Sequence, residues 1–320
     1  MCLKVLPCLL EDEHQRTIAQ RAGLTDIVLK GMIMFPNSAQ LHTAAFHTIV
    51  LLARPLGGRE GMLFHQTMVG DSSGILNMSS DSKSNCCKNG IAVMLDSMRR
   101  FHANERLQAM SCWSMVNIAL ISTQKTMLVR LGGISVAANA MMQHPNSADV
   151  QFRALFALIN LVIPCSNQSQ NDALSPAQSN LREIMSESSE KEILDESVGQ
   201  ITNLVVVAMK NFCSSEAIMN RACLVLHNLS LNYQHHTTLL WTPNCYQMLE
   251  WAMGNYRYDQ VLQQSAGGTL QRLQCTLRGN RELHTRFSAF IRQQQTNSLE
   301  IARREAQLFE SRRRERNGVE

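Results

Sequence analysis

Between Met141 and Cys165 the chain reads MMQHPNSADVQFRALFALINLVIPC, and its apolar positions fall into two helical stretches parted by a polar break at His144, Pro145 and Asn146. Met141 closes the first stretch, and Pro145 cannot continue it because it lacks the backbone N–H. Asn146 or Ser147 then offers a side-chain oxygen to cap the second stretch, whose buried ridge runs Val150, Ala154, Leu158, Leu161. Upstream, Gly133 is suited to end a preceding short helix at a left-handed position and let the next begin at a sharp angle.

The pattern recurs along the chain. Gly90, Met98 and Asn117 precede Gly133, Met141 and Asn160 by 43 residues each. Met209, Ala222 and Asn228 follow Met141, Ala154 and Asn160 by 68, the surplus matching a polar stretch that begins CSNQSQNDALSPAQSN. Met253, Ala266 and Arg272 come another 44 on, and Gly23 and Met32 open an earlier copy followed by its own insertion of Ser, Gly, Asn and Cys. Small residues at Ser111, Ala154, Ala222 and Ala266 let neighbouring helices approach. One such two-helix unit cannot bury its apolar face alone, so five copies predict an all-α solenoid.

The period, the Gly-Ile/Leu opening, the helix end at AM..HP and the VQ..AL.AL.NL third helix resemble armadillo repeats over about residues 2–275. In such repeats a short first helix precedes two long ones, and STQKTMLVRL and EDEHQRTIAQRA fit that role. The expected organisation is a repeat domain over 1–276, with polar insertions at about 57–88 and 165–196, and a capping helix with an Arg-rich helical tail over 277–320. The insertions have a composition that favours mobility, although Leu181, Ile184, Met185, Ile193 and Leu194 are placed to dock a short helix. Cys2 precedes Gly23 as Cys112 precedes Gly133, by 21 residues, so the chain is expected to begin inside a repeat, either with an unusual cap or as a piece of a longer protein.

Composition narrows the class. Apolar residues are 45% and aromatics only 5%, so the core must be built of Leu, Met, Ala, Val and Ile, a helix-forming palette. The formal charge of +4 demands neither nucleic acid nor an acidic surface. Ten cysteines at mostly apolar positions, such as Cys112, Cys213 and Cys223, read as small buried hydrophobes in a reducing compartment. No apolar run reaches membrane-spanning length, and MCLKVLPCLLEDEHQ turns acidic too soon for a secretory signal. A cytoplasmic or nuclear eukaryotic protein is expected, in which the Asn77, Asn167 and Asn228 sequons carry no glycan. No phosphate loop, HExxH, GxSxG or CxxC pair is present. His235 and His236 point different ways on a helix, and Cys86–Cys87 reads as an exposed thiol pair. The expectation is no enzyme, no cofactor and no metal.

Candidate binding residues lie in the third helices. Asn117, Asn160 and Asn228 are equivalent, and four residues before each stands a bulkier one: Trp113, Phe156 and Leu224. That spacing puts each pair on one face, and stacking makes a ladder. An Asn amide can hold the backbone of an extended ligand while Trp113 packs a side-chain stem; equally, the Asn can bond a backbone loop of the adjacent repeat and Trp113 can be core. The resemblance implies the first role for Trp113 and Asn117, since a Trp-x-x-x-Asn ladder lines the concave groove of peptide-binding armadillo proteins. The match is full in one unit and partial in two. Arg272 replaces Asn in the last unit and Val50 or Leu51 in the first. Arg153 and Arg221, seven residues before their asparagines, share the face and favour an acidic or carbonyl-rich ligand.

Six Arg against three Glu between residues 303 and 316 give the tail a modest basic excess. Nucleic acid is therefore not expected as a partner beyond weak contact there. The expected function is a non-catalytic scaffold or adaptor that binds a protein or peptide segment in the groove. The alternatives are a regulatory or substrate-receptor arm of a larger assembly (ubiquitin ligase, chaperone or kinase fusion) and a nuclear transport adaptor. The sequence leaves the oligomeric state open.

Overall fold

A computed structural model describes residues 7–54, 58–69, 89–163 and 176–317, which are helical apart from turns and caps, with no strand among them. The helices are α1 (Glu13–Arg21), α2 (Leu24–Met34), α3 (Ala39–Leu52), α4 (Gly58–Val69), α5 (Gly90–Arg100), α6 (Glu105–Ile118), α7 (Ser122–Arg130) and α8 (Gly133–Gln143). After them come α9 (Ala148–Leu161), α10 (Pro176–Asn211), α11 (Glu216–Leu229), α12 (His236–Trp241), α13 (Cys245–Asn255), α14 (Gln260–Gly279) and α15 (Arg281–Asn317). Their contacts form rows. The most extensive runs α3, α6, α9, α11, α14, each packed on the next; a second runs α2, α5, α8, α10, α13; a third runs α1, α4, α7, α10, α12. Ser111, Ala154, Ala222 and Ala266 are fully buried in the first row, where a larger side chain would hold the helices apart. One apolar cluster, from Leu10 to Phe287, continues through all three rows.

Local chemistry repeats at the predicted register. Ser38, Asn104, Ser147 and Asp259 each cap a first-row helix, accepting from the backbone N–H three residues on. A buried or half-buried Gln then ties that helix to the turn before it. Gln108 donates to the carbonyls of Met98 and Phe101, Gln151 to those of Met141 and His144, and Gln263 to those of Met253 and Tyr256. His42 fills this place in the first unit, with Nε2 3.2 Å from Phe35 O and Nδ1 2.7 Å from Ser97 Oγ.

The break between the short first helix and the second is made by a residue in the left-handed region: Gly23 (φ 74°), Gly132 (φ 89°) or Asn244 (φ 64°). Gly132 takes this conformation, whereas the sequence reading assigned it to Gly133. Gly133 has a different need to be glycine, since a Cβ there would lie 2.8 Å from Leu128 O. At the corresponding place in the fourth unit stands Gln200, for which the left-handed conformation would cost about 1–2 kcal/mol. The helix does not break, and α10 runs unbroken from Pro176 to Asn211.

The second expected insertion is thus helical over residues 176–196, and Leu194 lies in the core with Ile193 packed against it. Leu181, Ile184 and Met185 fall in the same helix rather than in a separate short one; their side chains lie outside the described residues, as do residues 165–175 with Asn167. In the first insertion, residues 58–69 form α4, which buries Phe64 and Met68. Cys2, Asn77, Cys86 and Cys87 lie outside the described residues. The expected capping helix and polar helix are one helix, α15, anchored by Phe287 and Phe290 in an edge-to-face cluster with Trp241 and Tyr246. No described helix is long and apolar enough to cross a membrane.

Candidate functional site

The ladder asparagines occupy one position in successive first-row helices, and each is engaged with the helix before it. Asn117 Nδ2 donates to Val50 O at 2.8 Å, Asn160 Nδ2 to Val116 O at 3.3 Å and Asn228 Nδ2 to Ile159 O at 3.0 Å. In each case the acceptor is the residue just before the equivalent ladder position, which identifies Leu51, not Val50, as the first unit's counterpart of Asn117.

The reason lies at the helix ends. At the end of α3 the Arg54 N–H bonds to Leu51 O, and at the end of α6 the Leu120 N–H bonds to Asn117 O, both closing a tighter three-residue turn. The carbonyls of Val50 and Val116 thereby lose their helical donors. The next unit's asparagine supplies the missing hydrogen bond. Of the two roles open to these asparagines, the structure shows the internal one; the remaining N–H and Oδ1 of each amide are what a ligand backbone could meet.

The last rung is built differently. At the end of α11 the Leu231 N–H bonds to Asn228 O, which leaves His227 O to accept from Ser230 Oγ at 2.8 Å. Arg272, at the Asn position of α14, donates through Nε to that same Ser230 Oγ (3.0 Å) and through Nη2 to His227 Nδ1 (2.9 Å). Nδ1 also lies 3.2 Å from Ser265 O, but one ring nitrogen cannot accept from Arg272 and donate to a carbonyl at once. The shorter contact, to a permanently charged donor, makes this imidazole neutral with Nδ1 as acceptor. Burial and the Arg272 charge both lower the His227 pKa, outweighing the raising effect of Ser265.

Around the asparagines the aromatic and cationic residues interleave. Trp113 is 41% exposed, so it is not core, and the Arg153 guanidinium lies 4.3 Å from its ring centroid. Arg153 pairs with Asp149 (Nε to Oδ1 2.9 Å) and lies 3.0 Å from Met110 Sδ. Burial lowers the Arg153 pKa, and Asp149 opposes that. One unit on, Arg221 stacks over Phe156 (4.7 Å) and Phe152 (5.4 Å), with Nη1 3.1 Å from Asn220 Oδ1. Each arginine therefore stacks on the ring of the preceding unit.

The sequence reading missed His47. It precedes Leu51 by four residues, as Trp113 precedes Asn117, and it is exposed at the head of the same line. Burial lowers its pKa, and the charges of Arg106 and Arg153 lower it further. The signal that could have found it was the Leu51 register, hidden by the Val50 or Leu51 ambiguity. Leu224 completes the aromatic position in α11, half-buried.

Other singled-out groups are tied up elsewhere. His235 sits between Asp195 Oδ1 (2.5 Å) and Leu229 O (3.0 Å), while His236 bonds Thr276 Oγ1 (2.6 Å) and Ser230 O (2.8 Å). No group of three or more His, Cys, Asp or Glu among the described residues could hold a metal. Cys112, Cys223 and Cys245 are buried, and burial pushes their thiols up to about 12, which suppresses the reactive thiolate. Cys213, expected among them, is exposed beyond the end of α10. A search of protein-family models finds no match to the chain.

Proposed function

We propose that this chain is a non-catalytic scaffold of the armadillo type, a right-handed α-solenoid that binds a segment of another protein along the face carrying Trp113, Asn117, Arg153, Phe156, Asn160, Arg221 and Asn228. The recurring rows of helices support the solenoid reading, since each unit contacts mainly its neighbours. The observation that carries the binding reading is Trp113, a large ring left 41% exposed beneath a stacked arginine and in line with a second Arg–aromatic stack. Trp and Arg are the residues that dominate binding energy where they meet a partner.

The interleaved guanidinium groups favour an acidic or carbonyl-rich partner, and Asp149 is the carboxylate paired with one of them. The asparagines act first as structural ties between units and second as polar contacts for the ligand. A cytoplasmic or nuclear setting fits this role, and no site in this reading involves a cofactor.

The test is affinity capture from a eukaryotic lysate with the wild type, Trp113→Ala and Arg221→Glu, after melting curves have shown that all three fold. Specific partners lost from both variants at nearly unchanged melting temperature support the reading. An identical partner list from all three refutes it.

A further inference from the structure

The last unit ends differently from the others, and the difference opens a trough beside it. Helices α3, α6, α9 and α11 are each 14 residues long, whereas α14 has 20. The extra turns lie past the last ladder position, Arg272, lengthen the helix by about 9 Å and carry Gln274, Leu277 and Arg278. At Asn280, whose Oδ1 accepts from the Leu283 N–H at 2.9 Å, the chain enters α15, which packs back on α13. Between α13, the α14 extension and α15 is a cleft of about 580 Å³, inside the ~300–1,000 Å³ range of ligand clefts.

α15 lines it with His284, Phe287, Ser288, Ile291, Arg292 and Gln295, three- and four-residue steps that make one helix face about 16 Å long. The walls are pinned to one another. Gln274 Nε2 donates to the Tyr246 hydroxyl at 3.0 Å, and the Tyr246 and Phe287 rings meet edge to face at 5.5 Å. Gln294 Oε1 accepts from the Asn244 N–H (3.0 Å) and from Gln247 Nε2 (3.3 Å). The trough is therefore held in shape by the protein's own contacts, which lowers the entropic cost of filling it.

Its chemistry is divided by depth. The floor is apolar: Leu277 and Phe287 are buried, Tyr246 and Ile291 half-buried. The charged lining residues, Arg278, His284, Arg292 and Glu250, are all exposed and so form the rim. The ion pairs among the described residues use none of the three basic side chains. Glu250 is no partner for them, since burial alone shifts its pKa, upward. Exposed basic residues ordinarily stay solvated; these three edge an apolar trough.

We propose that the trough docks an acidic amphipathic α-helix of a partner protein, with its apolar side chains on the floor and its Asp and Glu side chains against Arg278, His284 and Arg292. The site is separate from the ladder face and does not depend on the reading above. A macromolecule fits better than a small ligand, because a site built for the latter covers most of its surface, whereas this rim stands in solvent. A helix fits better than an extended chain. The backbone of an extended chain needs hydrogen-bond partners that an apolar floor lacks, while a helix satisfies its own and presents an apolar stripe at the same spacing as the face of α15. A length of about 16 Å takes about three turns of it.

The probe is a displayed library of random peptides of about fourteen residues, about four helical turns, selected on the intact chain. Enriched sequences should carry apolar residues at three- and four-residue spacing, flanked by Asp or Glu. A synthetic copy of one of them should bind Arg278→Glu and Arg292→Glu each about tenfold more weakly than the wild type, both variants melting normally because both residues are exposed. Basic or alternating peptides, no enrichment, or a copy indifferent to either substitution overturn the proposal. A copy that depends on Trp113 and not on these arginines lies on the ladder face, which overturns the trough and supports the scaffold reading.

Discussion

Asn160 and Arg272 stand at the same place in their units and solve the same problem by different means. Each faces a helix whose last turn tightens and strands a carbonyl, Val116 O for the one and His227 O for the other. Asn160 donates to its carbonyl directly at 3.3 Å. In the last rung Ser230 Oγ satisfies the carbonyl from within its own chain turn, and Arg272 holds Ser230 and the His227 ring from outside. The middle rungs thus use the neighbouring unit as a helix cap, whereas the last rung caps itself and adds a titratable contact. Coupling between units should be direct in the first case and indirect in the second.

The sharpest way to break this comparison is to reverse the polarity of the middle tie. Asn160→Asp keeps the shape but sets an acceptor against Val116 O, and it should cost about 3 kcal/mol, more than Asn160→Ala at about 1–2 kcal/mol. Urea unfolding monitored by circular dichroism reads both, and equal midpoints for the wild type and Asn160→Asp would show that the tie carries no stability. In the last rung the order should invert between residue and neighbour. Ser230→Ala leaves His227 O without its donor and should cost about 1–2 kcal/mol, while Arg272→Ala, which spares that bond, should cost about half as much. If Arg272→Ala proves the costlier of the two, Arg272 and not Ser230 is the cap.

Acid separates the rungs further. The asparagine ties hold no titrating group, but His227 accepts from Arg272 as a neutral ring, and burial and that arginine lower its pKa below the ordinary 6.5. Burial, more than the Arg100 charge, also lowers His42 in its clamp to Phe35 O. A histidine whose pKa is depressed on folding takes up its proton more readily in the unfolded chain. Its stabilising contribution is therefore whole above about pH 6.5 and is lost as the pH falls through the depressed folded value. Melting temperature should drop by a few degrees below that pH, and His42→Gln, which installs the residue used in the other clamps, should shrink the drop without weakening the protein at neutral pH. A fall of the same size in His42→Gln would assign the acid loss elsewhere.

How much of this was legible beforehand depended on whether a feature is local. The cap offered by Asn146 or Ser147, which Ser147 makes, the apolar ridge of α9 and the equivalence of Asn117, Asn160 and Asn228 follow from short spacings and read correctly off the chain. The fused α10 did not, because it is decided by what Gln200 fails to do: Gly23 and Gly132 announce a break in their units, while the loss of such a residue goes unmarked in the fourth. Leu120 and Leu231 look like core residues in a helical pattern, yet both are 57% exposed, because each stands in the tightened turn that follows its helix. The asparagine role was open for a related reason, since the stranded carbonyl that each satisfies lies 44 to 69 residues away.

The residue with the largest expected effect on binding should have only a modest effect on stability. Trp113→Ala removes a ring that is 41% exposed and stacked under Arg153, and it should cost about 1 kcal/mol, close to the worth of a partly exposed cation–π contact. The Asn117 tie to Val50 O four residues away should be untouched, because its acceptor is backbone and its donor lies on the next turn. If the melting temperature instead falls as far as in Asn160→Ala, Trp113 belongs with the ties that join units. A small fall places it with the surface that those ties hold in line, and the contrast between the two variants then separates what builds the face from what uses it.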